Sequence, residues 1–268
     1  MSNTPIRVAI HGAAGRMGQR LVALGSTDDE MQIVAALDSP KHPKLGADAG
    51  ELARLMRPIG VPLTATLDVP VDVVIDFSIP AATMSILKTC LEKKIALVVA
   101  TTGLDNEQLK AVEEAGKKIP VLWSPSMSLT VNLAMRLAEL AGRALAEHPS
   151  GADVEIIERH HRFKEDAPSG TALKFGQLIA DAMGLTKHQH GREGRPGQRP
   201  HEEIGYHAVR TGDNPGEHTI IFGLLGETLE LTVKATNRDC YAHGALAAAK
   251  FLAGKPAKLY EMRDVLGI

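Results

Sequence analysis

Five basic side chains crowd into residues 159–164 of the chain: two adjacent histidines, two arginines and a lysine. Clustered cations repel one another, so packing alone gives no reason for this composition. An anionic ligand would supply the reason, because it neutralises the positive charge and accepts the hydrogen bonds of the cluster. A solvated basic loop is the plain structural alternative, and the stretch taken alone favours neither interpretation.

The sequence around this basic stretch predicts a strand before it and a helix after it. Residues 154–157 are rich in branched apolar side chains, which indicates a buried strand. A Pro-Ser-Gly-Thr run is followed by apolar residues at helical spacing, so a helix is expected to begin near Ser169 or Gly170. The free amides of Gly170 and Thr171 would then form a carboxylate site at the helix N-terminus.

A substrate with two carboxylates would engage both the basic side chains and this predicted helix start. Hydride addition to a conjugated imine leaves an enamine that must be protonated, and histidine is the usual acid near neutral pH. The stretch therefore suits reduction of a dicarboxylate, provided that the chain also holds a source of hydride.

A glycine-rich turn near the N-terminus predicts that source. Gly12, Gly15 and Gly18 follow an apolar strand at the start of a predicted helix, where glycine lets the backbone approach a pyrophosphate. The spacing is G-x-x-G-x-x-G rather than the plain dinucleotide fingerprint, and a tight structural turn would also use glycine. Asp38 ends the next predicted strand, where it can accept from a ribose hydroxyl pair, and this combination favours a dinucleotide site.

Strands and helices continue to alternate through the first half of the chain. Apolar strands are predicted at residues 73–77, 96–100 and 121–123, which implies a parallel sheet covered on both faces. Ligands of such sheets bind at the carboxyl ends of the strands, which places Thr101 and Thr102 near the cofactor, together with residues 124–127. Serine and threonine at strand ends are also routine helix caps, so each of these residues alone leaves both roles open.

A long helix predicted over residues 129–147 closes this half. Its inward face is expected to consist of Leu133, Leu137, Leu140 and Ala144.

The second half changes from alternation to consecutive strands. Residues 204–211, 217–222 and 227–235 are joined by turns and predict an antiparallel or mixed sheet. Residues 187–203 contain no aliphatic side chain and are expected to be a long surface loop. Its histidines lack a carboxylate or thiolate framework, so no metal site is expected. A last helix, residues 240–252, is expected to return to the first lobe.

These elements predict an α/β chain of two lobes. A Rossmann-type, parallel-sheet dinucleotide-binding domain is expected over residues 1–127 and 239–268. An α+β domain with a mixed sheet is expected over residues 128–238, and it carries the basic stretch.

The composition is that of an ordinary globular chain of 268 residues, 44% hydrophobic and 23% charged. A formal net charge of −2 and an aromatic content of 3% give no case for binding nucleic acid or an anionic membrane surface. The N-terminal residues are polar and no apolar run approaches spanning length. Cys90 and Cys240 match no metal-ligand spacing, so we expect reduced thiols in a cytoplasmic protein.

Residues 158–172 closely resemble the E-x-H-H-x-x-K-x-D-x-P-S-G-T-A signature of the 4-hydroxy-tetrahydrodipicolinate reductases. These are the dihydrodipicolinate reductases of the diaminopimelate and lysine pathway. The resemblance extends over nearly the whole chain, from the glycine turn through Asp76-Phe77-Ser78 and Thr101-Thr102-Gly103 to the closing residues 262–266. It implies an oxidoreductase that uses NADH, NADPH or both to reduce 4-hydroxy-tetrahydrodipicolinate to tetrahydrodipicolinate.

The resemblance also assigns roles to individual residues. It makes His160 the proton donor and acceptor and Lys164 a second proton donor, with His161, Gly170 and Thr171 holding the substrate. It makes the second domain the substrate-binding and oligomerisation domain of a homotetramer. The cofactor contacts that it implies are Gly12, Ala13, Ala14, Gly15, Arg16, Met17, Asp38, Ala100, Thr101, Thr102, Ser124, Pro125, Ser126 and Met127.

The chain departs from the family pattern at several positions near the expected cofactor. Ser39 stands where relatives often carry a basic residue that can meet a 2′-phosphate, so Asp38 favours NADH, although Lys41 or Arg16 leaves NADPH open. Ile79 also replaces a basic residue, and residues 124–127 differ from the commoner A-x-N-F pattern.

Two other functions fit parts of the sequence. A dehydrogenase acting on aspartate or homoserine would use the same two-lobe plan but leaves the paired histidines unexplained. A dinucleotide-sensing regulatory protein would bind NADH and be indifferent to a planar dicarboxylate.

Overall fold

A computed structural model describes residues 4–149 and 151–268. It divides the chain into two compact units, one formed by Met1–Leu129 with Asp239–Ile268 and the other by Thr130–Arg238. None of the described helices is long and apolar enough to cross a bilayer.

The first unit is built on seven parallel strands. These are β1 (Ile6–His11), β2 (Met31–Leu37), β3 (Leu63–Thr64), β4 (Val73–Asp76), β5 (Ala96–Val99), β6 (Pro120–Trp123) and β12 (Lys258–Tyr260). They lie in the order β12-β6-β5-β4-β1-β2-β3, so the strand order reverses between β1 and β4. In a doubly wound sheet this reversal opens a crevice at the carboxyl ends of the two strands.

Helices cover both faces of this sheet. They are α1 (Arg16–Gly25), α2 (Ala49–Leu52), α3 (Pro80–Lys93), α4 (Asn106–Gly116), α7 (Asp239–Leu252) and α8 (Met262–Leu266). Successive residues of β4 point to opposite faces: Val73 and Ile75 enter one buried cluster and Val74 enters the other. The near-continuous apolar strands follow from this double burial.

The second unit holds a mixed sheet with strands β7 (Asp153–His160), β8 (Lys187–His190), β9 (Glu203–Arg210), β10 (Glu217–Leu224) and β11 (Glu227–Lys234). The strand order is β11-β10-β7-β9-β8, with β10 antiparallel to both neighbours and β9 parallel to both of its own. Helices α5 (Leu129–Leu145) and α6 (Gly170–Met183) contribute to its single buried core. The parallel sheet and the separate mixed sheet confirm the predicted fold class.

The predicted inward face of α5 is wrong. Leu133, Leu137 and Leu140 are 39%, 43% and 58% exposed, and Ala144 is exposed as well. The buried residues are instead mostly small ones: Val131, Ala134, Met135, Ala138 and Gly142. Small side chains let the helix approach its neighbours closely, and that packing outweighs the larger apolar area of the leucines.

The prediction of an unbroken surface loop over residues 187–203 is also wrong. Its first four residues form β8, which pairs in parallel with β9 at the edge of the mixed sheet. All four side chains are exposed, so no apolar pattern marks the strand. Backbone pairing holds it in place, together with Tyr206, whose hydroxyl lies 2.7 Å from Nδ1 of His188 and whose ring contacts those of His188 and His190.

Candidate functional site

One residue of the basic stretch and the acid that precedes the stretch lie side by side on the inner face of β7. Glu158 and His160 are two positions apart in the strand, so their side chains point the same way, and both are buried. Nδ1 of His160 lies 2.6 Å from Oε2 of Glu158.

Glu158 is a fully buried carboxylate whose charge is compensated on every side. Both terminal nitrogens of Arg210 donate to it at 2.7 Å, and the backbone amide of Ser169 donates to Oε1 at 3.0 Å. Burial raises the pKa of Glu158, but the hydrogen bonds from His160, Arg210 and Ser169 outweigh it and hold the pKa at about 2. An ionised carboxylate only accepts hydrogen bonds, so the hydrogen between it and His160 belongs to Nδ1.

This arrangement leaves Nε2 as the nitrogen of His160 that is available for chemistry. Gly216 keeps the space beside it open, because a Cβ built at that position would lie 3.0 Å from Nε2. The φ of Gly216 is +148°, a backbone conformation that other residues rarely adopt.

The start of α6 is fixed to the same group of residues. Ser169 is the N-cap, and its hydroxyl accepts from the Ala172 amide at 3.1 Å and contacts Nε2 of His218 at 3.1 Å. His218 lies on β10 directly opposite Glu158, and its ring is 5.2 Å from that of His160. Burial and the positive charge of His160 lower the pKa of His218 to about 4, so this histidine is neutral at physiological pH.

Lys164 already holds a carboxylate beside α6. Its Nζ lies 2.8 Å from Oδ1 of Asp166. That hydrogen bond lowers the pKa of Asp166, and the Gly170 amide contributes in the same direction. Lys164 and Gly170 are thus brought together around one acidic group. Thr171 lies in the same first turn of the helix.

His161 lies outside this hydrogen-bonded group. Its Nδ1 is buried, and no partner for it is found among the residues that the structure describes. Its ring is tilted against that of Phe163 at 6.2 Å, and Phe163 itself is 76% exposed.

In the first unit, the glycine turn lies where β1 ends, beside the strand-order reversal. Gly12 has φ +79°, and a Cβ at this position would overlap the carbonyl of Phe77, which follows β4. Gly15 caps α1 without a side-chain hydrogen bond, so Arg16 and Met17 begin a helix whose N-terminus is not blocked by a capping side chain. A backbone this close to its neighbours and a helix start of this kind fit a pyrophosphate.

Asp38 connects the end of β2 to this turn. Its Oδ2 accepts from the amide of Ala14 at 2.9 Å and its Oδ1 accepts from the amide of Ser39 at 2.8 Å. The amides of Gly12 and Ala13 both donate to the carbonyl of Leu37. Hydrogen bonds therefore hold Asp38 and the glycine turn together.

A second buried carboxylate, Asp76, ties together three strand ends of the first unit. His11 Nδ1 lies 2.7 Å from it, and hydroxyls donate from Ser78 and Thr83 at 2.6 Å and from Thr101 at 2.9 Å. Burial raises the pKa of Asp76, but these hydrogen bonds outweigh it and leave the pKa below its ordinary value. The hydroxyl of Thr101 also accepts from the amide of Ser78 at 3.1 Å.

The remaining predicted cofactor residues differ in exposure. Ala100 is buried beside Thr101, and Thr102 is exposed. After β6, Ser124 donates from its hydroxyl to the carbonyl of Ser126 at 2.7 Å. Pro125 is exposed and Met127 is packed in the core. The carbonyl of Met127 lies where a Cβ on Gly244 of α7 would be, so the position of Met127 is set by helix packing.

Sequence reasoning gave no role to Arg210, His218 or Glu158. A charged residue on the buried side of an alternating strand was the available signal for Glu158, because such a residue is rarely buried without partners. Arg210 and His218 are 52 and 60 residues distant from it in sequence and are brought to it only by the pairing of the strands.

A separate ionic cluster lies on the outer face of the mixed sheet. Glu155 accepts from Arg192 at 2.6 and 3.0 Å, from Arg199 at 3.0 Å and lies 2.7 Å from Nε2 of His207. Both arginines come from residues 187–203, so these ion pairs hold that segment against the sheet. In the part of the chain that the structure describes, no three His, Cys, Asp or Glu side chains form a candidate metal site.

Comparisons with known proteins point to a single family. The family model described as "Dihydrodipicolinate reductase, N-terminus" matches residues 6–127, and "Dihydrodipicolinate reductase, C-terminus" matches residues 130–266. The chain is 55% identical to the 4-hydroxy-tetrahydrodipicolinate reductase of Rhodopirellula baltica, covering 100% of this chain and 98% of the relative. It is 47% identical to that of Alkalilimnicola ehrlichii, covering 98% and 99% of the two chains.

A solved structure agrees with this result. Dipicolinate-bound dihydrodipicolinate reductase from Paenisporosarcina sp. TG-14 superposes with a TM-score of 0.78 at 29% identity, covering 96% of this chain and 98% of that chain.

The buried His218 predicts a specific loss of stability in acid. Its folded pKa, about 4, is below its ordinary value of 6.5. Stability from neutral His218 is therefore complete above about pH 6.5 and is lost as the pH falls through about 4. The difference in unfolding free energy between the wild type and His218→Asn should shrink by roughly 3 kcal/mol between pH 7 and pH 4.

Urea unfolding at several pH values measures this difference. His201→Asn is the matched control, because that side chain is 81% exposed and should leave the pH dependence unchanged. A difference between wild type and His218→Asn that stays constant over the whole pH range would contradict the prediction.

Proposed function

The chain belongs to the dihydrodipicolinate reductase family, and we propose that it reduces 4-hydroxy-tetrahydrodipicolinate to tetrahydrodipicolinate, with loss of water, in diaminopimelate and lysine biosynthesis. The observation that best supports this function is the set of hydrogen bonds made by Glu158. It joins His160, a group that can transfer a proton, to the start of α6, which can bind a carboxylate.

The substrate is a dicarboxylate, and the second unit offers groups that suit it. The first-turn amides of Gly170 and Thr171 and the ammonium of Lys164 bind one carboxylate. Asp166 supports this assignment, because its side chain is itself a carboxylate and is already bound by Lys164 and the Gly170 amide. His161 is assigned to substrate binding as well, and the dipicolinate bound to the Paenisporosarcina relative is a planar dicarboxylate.

Protonation is the task of His160, with Lys164 as a second donor. Reduction of the conjugated imine leaves an enamine carbon that must receive a proton. Nε2 of His160 delivers it, since Nδ1 is committed to Glu158. Lys164 carries an ammonium that can donate to the same substrate.

The reduced nicotinamide of NADH or NADPH supplies the hydride. The residues that would hold the dinucleotide lie at the strand ends of the first unit: the glycine turn from Gly12 to Met17, Asp38, residues 100–102 and residues 124–127. The crowded backbone at Gly12 and the start of α1 at Gly15, free of a capping side chain, support this placement. Asp38 would accept hydrogen bonds from the ribose hydroxyls.

The chain also assembles as a homotetramer through the outer face of its mixed sheet. α5 and α6 pack on the inner face, whereas Ile157, Val209 and Ile221 lie on the outer face, Val209 being 40% exposed. Apolar residues left on a sheet face suit contact with another copy. Cys90 and Cys240 are both thiols rather than disulfide partners, which supports the cytoplasm as the compartment.

Turnover of freshly prepared 4-hydroxy-tetrahydrodipicolinate tests the function, followed as loss of NADH or NADPH absorbance. His160→Gln and Lys164→Ala should each lower kcat by roughly 100-fold or more, because each removes a proton donor, while cofactor binding stays unchanged. Pyridine-2,6-dicarboxylate should inhibit the wild type.

Absence of turnover above background would overturn the assignment. Turnover of aspartate or homoserine would favour the other dehydrogenases, and tight NADH binding without any effect of the dicarboxylate would favour a sensor.

Asp38 followed by Ser39 predicts that NADH is the better cofactor. The carboxylate accepts from a 2′-hydroxyl but repels a 2′-phosphate, and Ser39 offers no positive charge to offset this. The ratio of kcat/KM with NADH to kcat/KM with NADPH should exceed one, and Ser39→Arg should lower it by about tenfold. A ratio below one in the wild type would contradict the prediction.

The assembly is tested by placing a charge in the proposed interface. Ile157→Glu should convert the tetramer into smaller species, because the charge would be buried between copies. Sedimentation velocity measures the mass in solution. Leu140→Glu is the control, since this leucine is 58% exposed on α5 and away from the sheet. A wild-type monomer, or an Ile157→Glu tetramer, would contradict the proposed interface.

A further inference from the structure

We infer that Glu158, clamped by Arg210, is a positioning residue for the reduction: it fixes the proton of His160 on Nδ1 and so dedicates Nε2 to proton transfer. This inference rests on the proposed function, because it assumes that His160 handles the proton. It adds two residues to the reaction, Glu158 and Arg210, which act through the histidine.

The two carboxylate oxygens of Glu158 have different partners. Oε2 faces His160 Nδ1 at 2.6 Å and one nitrogen of Arg210 at 2.7 Å. Oε1 faces the other nitrogen of Arg210 at 2.7 Å and the amide of Ser169 at 3.0 Å. All four neighbouring groups donate hydrogen bonds, and the carboxylate accepts all of them. A glutamine at this position would turn its NH₂ group towards one of these donors.

Strand register decides which residues meet at His160 and Glu158. Arg210 pairs with His160 across β7 and β9, and His218 pairs with Glu158 across β7 and β10. The amide of Thr211 also donates to the carbonyl of His160 at 3.0 Å. The imidazole is therefore held by backbone and side chain, with Nδ1 bound to Glu158 and Nε2 facing Gly216.

The absence of a side chain at Gly216 gives independent support for a role of Nε2 in proton transfer. A side chain there would cover Nε2, and the positive φ of this residue already favours glycine. One nitrogen of His160 is thus hydrogen-bonded to an acid, and no side chain at position 216 covers the other. The same division of labour between the two ring nitrogens occurs when a carboxylate orients a catalytic histidine in hydrolases.

Glu158→Gln tests the inference, read together with His160→Gln and the double variant. Glu158→Gln should lower kcat by roughly 10²- to 10⁴-fold with little change in KM, because the amide presents a donor to Nδ1 and favours the wrong tautomer. In the His160→Gln background the same substitution should cost almost nothing further, since the histidine it acts on is absent. Equal losses in both backgrounds would show a purely structural residue and overturn the inference.

Glu155→Gln is the matched control. Glu155 lies on the same strand, faces the opposite side and also accepts from arginines and lies beside a histidine. Its substitution should lower the melting temperature while leaving kcat within about twofold of the wild type. Glu158→Asp keeps the charge and should recover part of the kcat that Glu158→Gln loses.

A second measurement needs no change at Glu158 and so applies even where Glu158→Gln fails to fold. NMR of wild-type protein with isotopically labelled histidine reports which nitrogen of neutral His160 carries hydrogen, with the signals assigned by their loss in His160→Gln. Hydrogen on Nδ1 supports the inference, and hydrogen on Nε2 alone overturns it. Because this measurement requires no turnover, an inactive wild type would refute the proposed function without deciding the role of Glu158.

Discussion

A buried negative charge must be neutralised where it lies, and the organisation of the second unit follows from that requirement at Glu158. The carboxylate is out of reach of water, so it needs donors from several directions. Arg210 of β9, His160 of β7 and the amide of Ser169 at the start of α6 supply them. One charge thus fixes the relative positions of two strands and a helix, and those elements carry the groups that we propose bind and protonate the substrate.

The first unit uses the same device at a different strand end. Asp76 closes β4 and is buried among His11, Ser78, Thr83 and Thr101, which come from the ends of β1 and β5 and from α3 and the residues before it. Its hydrogen bonds hold the loops beside the strand-order reversal. In both units a buried carboxylate joins loops that carry candidate site residues to the sheet, and its hydrogen bonds fix direction as well as distance.

Local patterns in the sequence were sufficient for much of the fold and part of the candidate site. The start of α6 followed from Pro-Ser-Gly-Thr, and the parallel sheet from apolar strands separated by helices, because these signals act over a few residues. Burial of α5 did not follow, since Leu133 and Ala134 are both apolar and only the packing decides between them. Strand β8 lacks any apolar signal, and the meeting of Arg210 with Glu158 depends on a register set by the whole sheet.

The exposed edge strand β8 has a consequence for the behaviour of the chain at high concentration. An open strand edge presents unpaired backbone groups to which a strand of another molecule can add, and this is a common route to aggregation. Lys187, His188, Gln189 and His190 give this edge no apolar side chain, and Lys187 places a positive charge on it beside Glu202. The strand is therefore short and polar. The composition that leaves it without an apolar signal in the sequence also disfavours growth of the mixed sheet by strand addition.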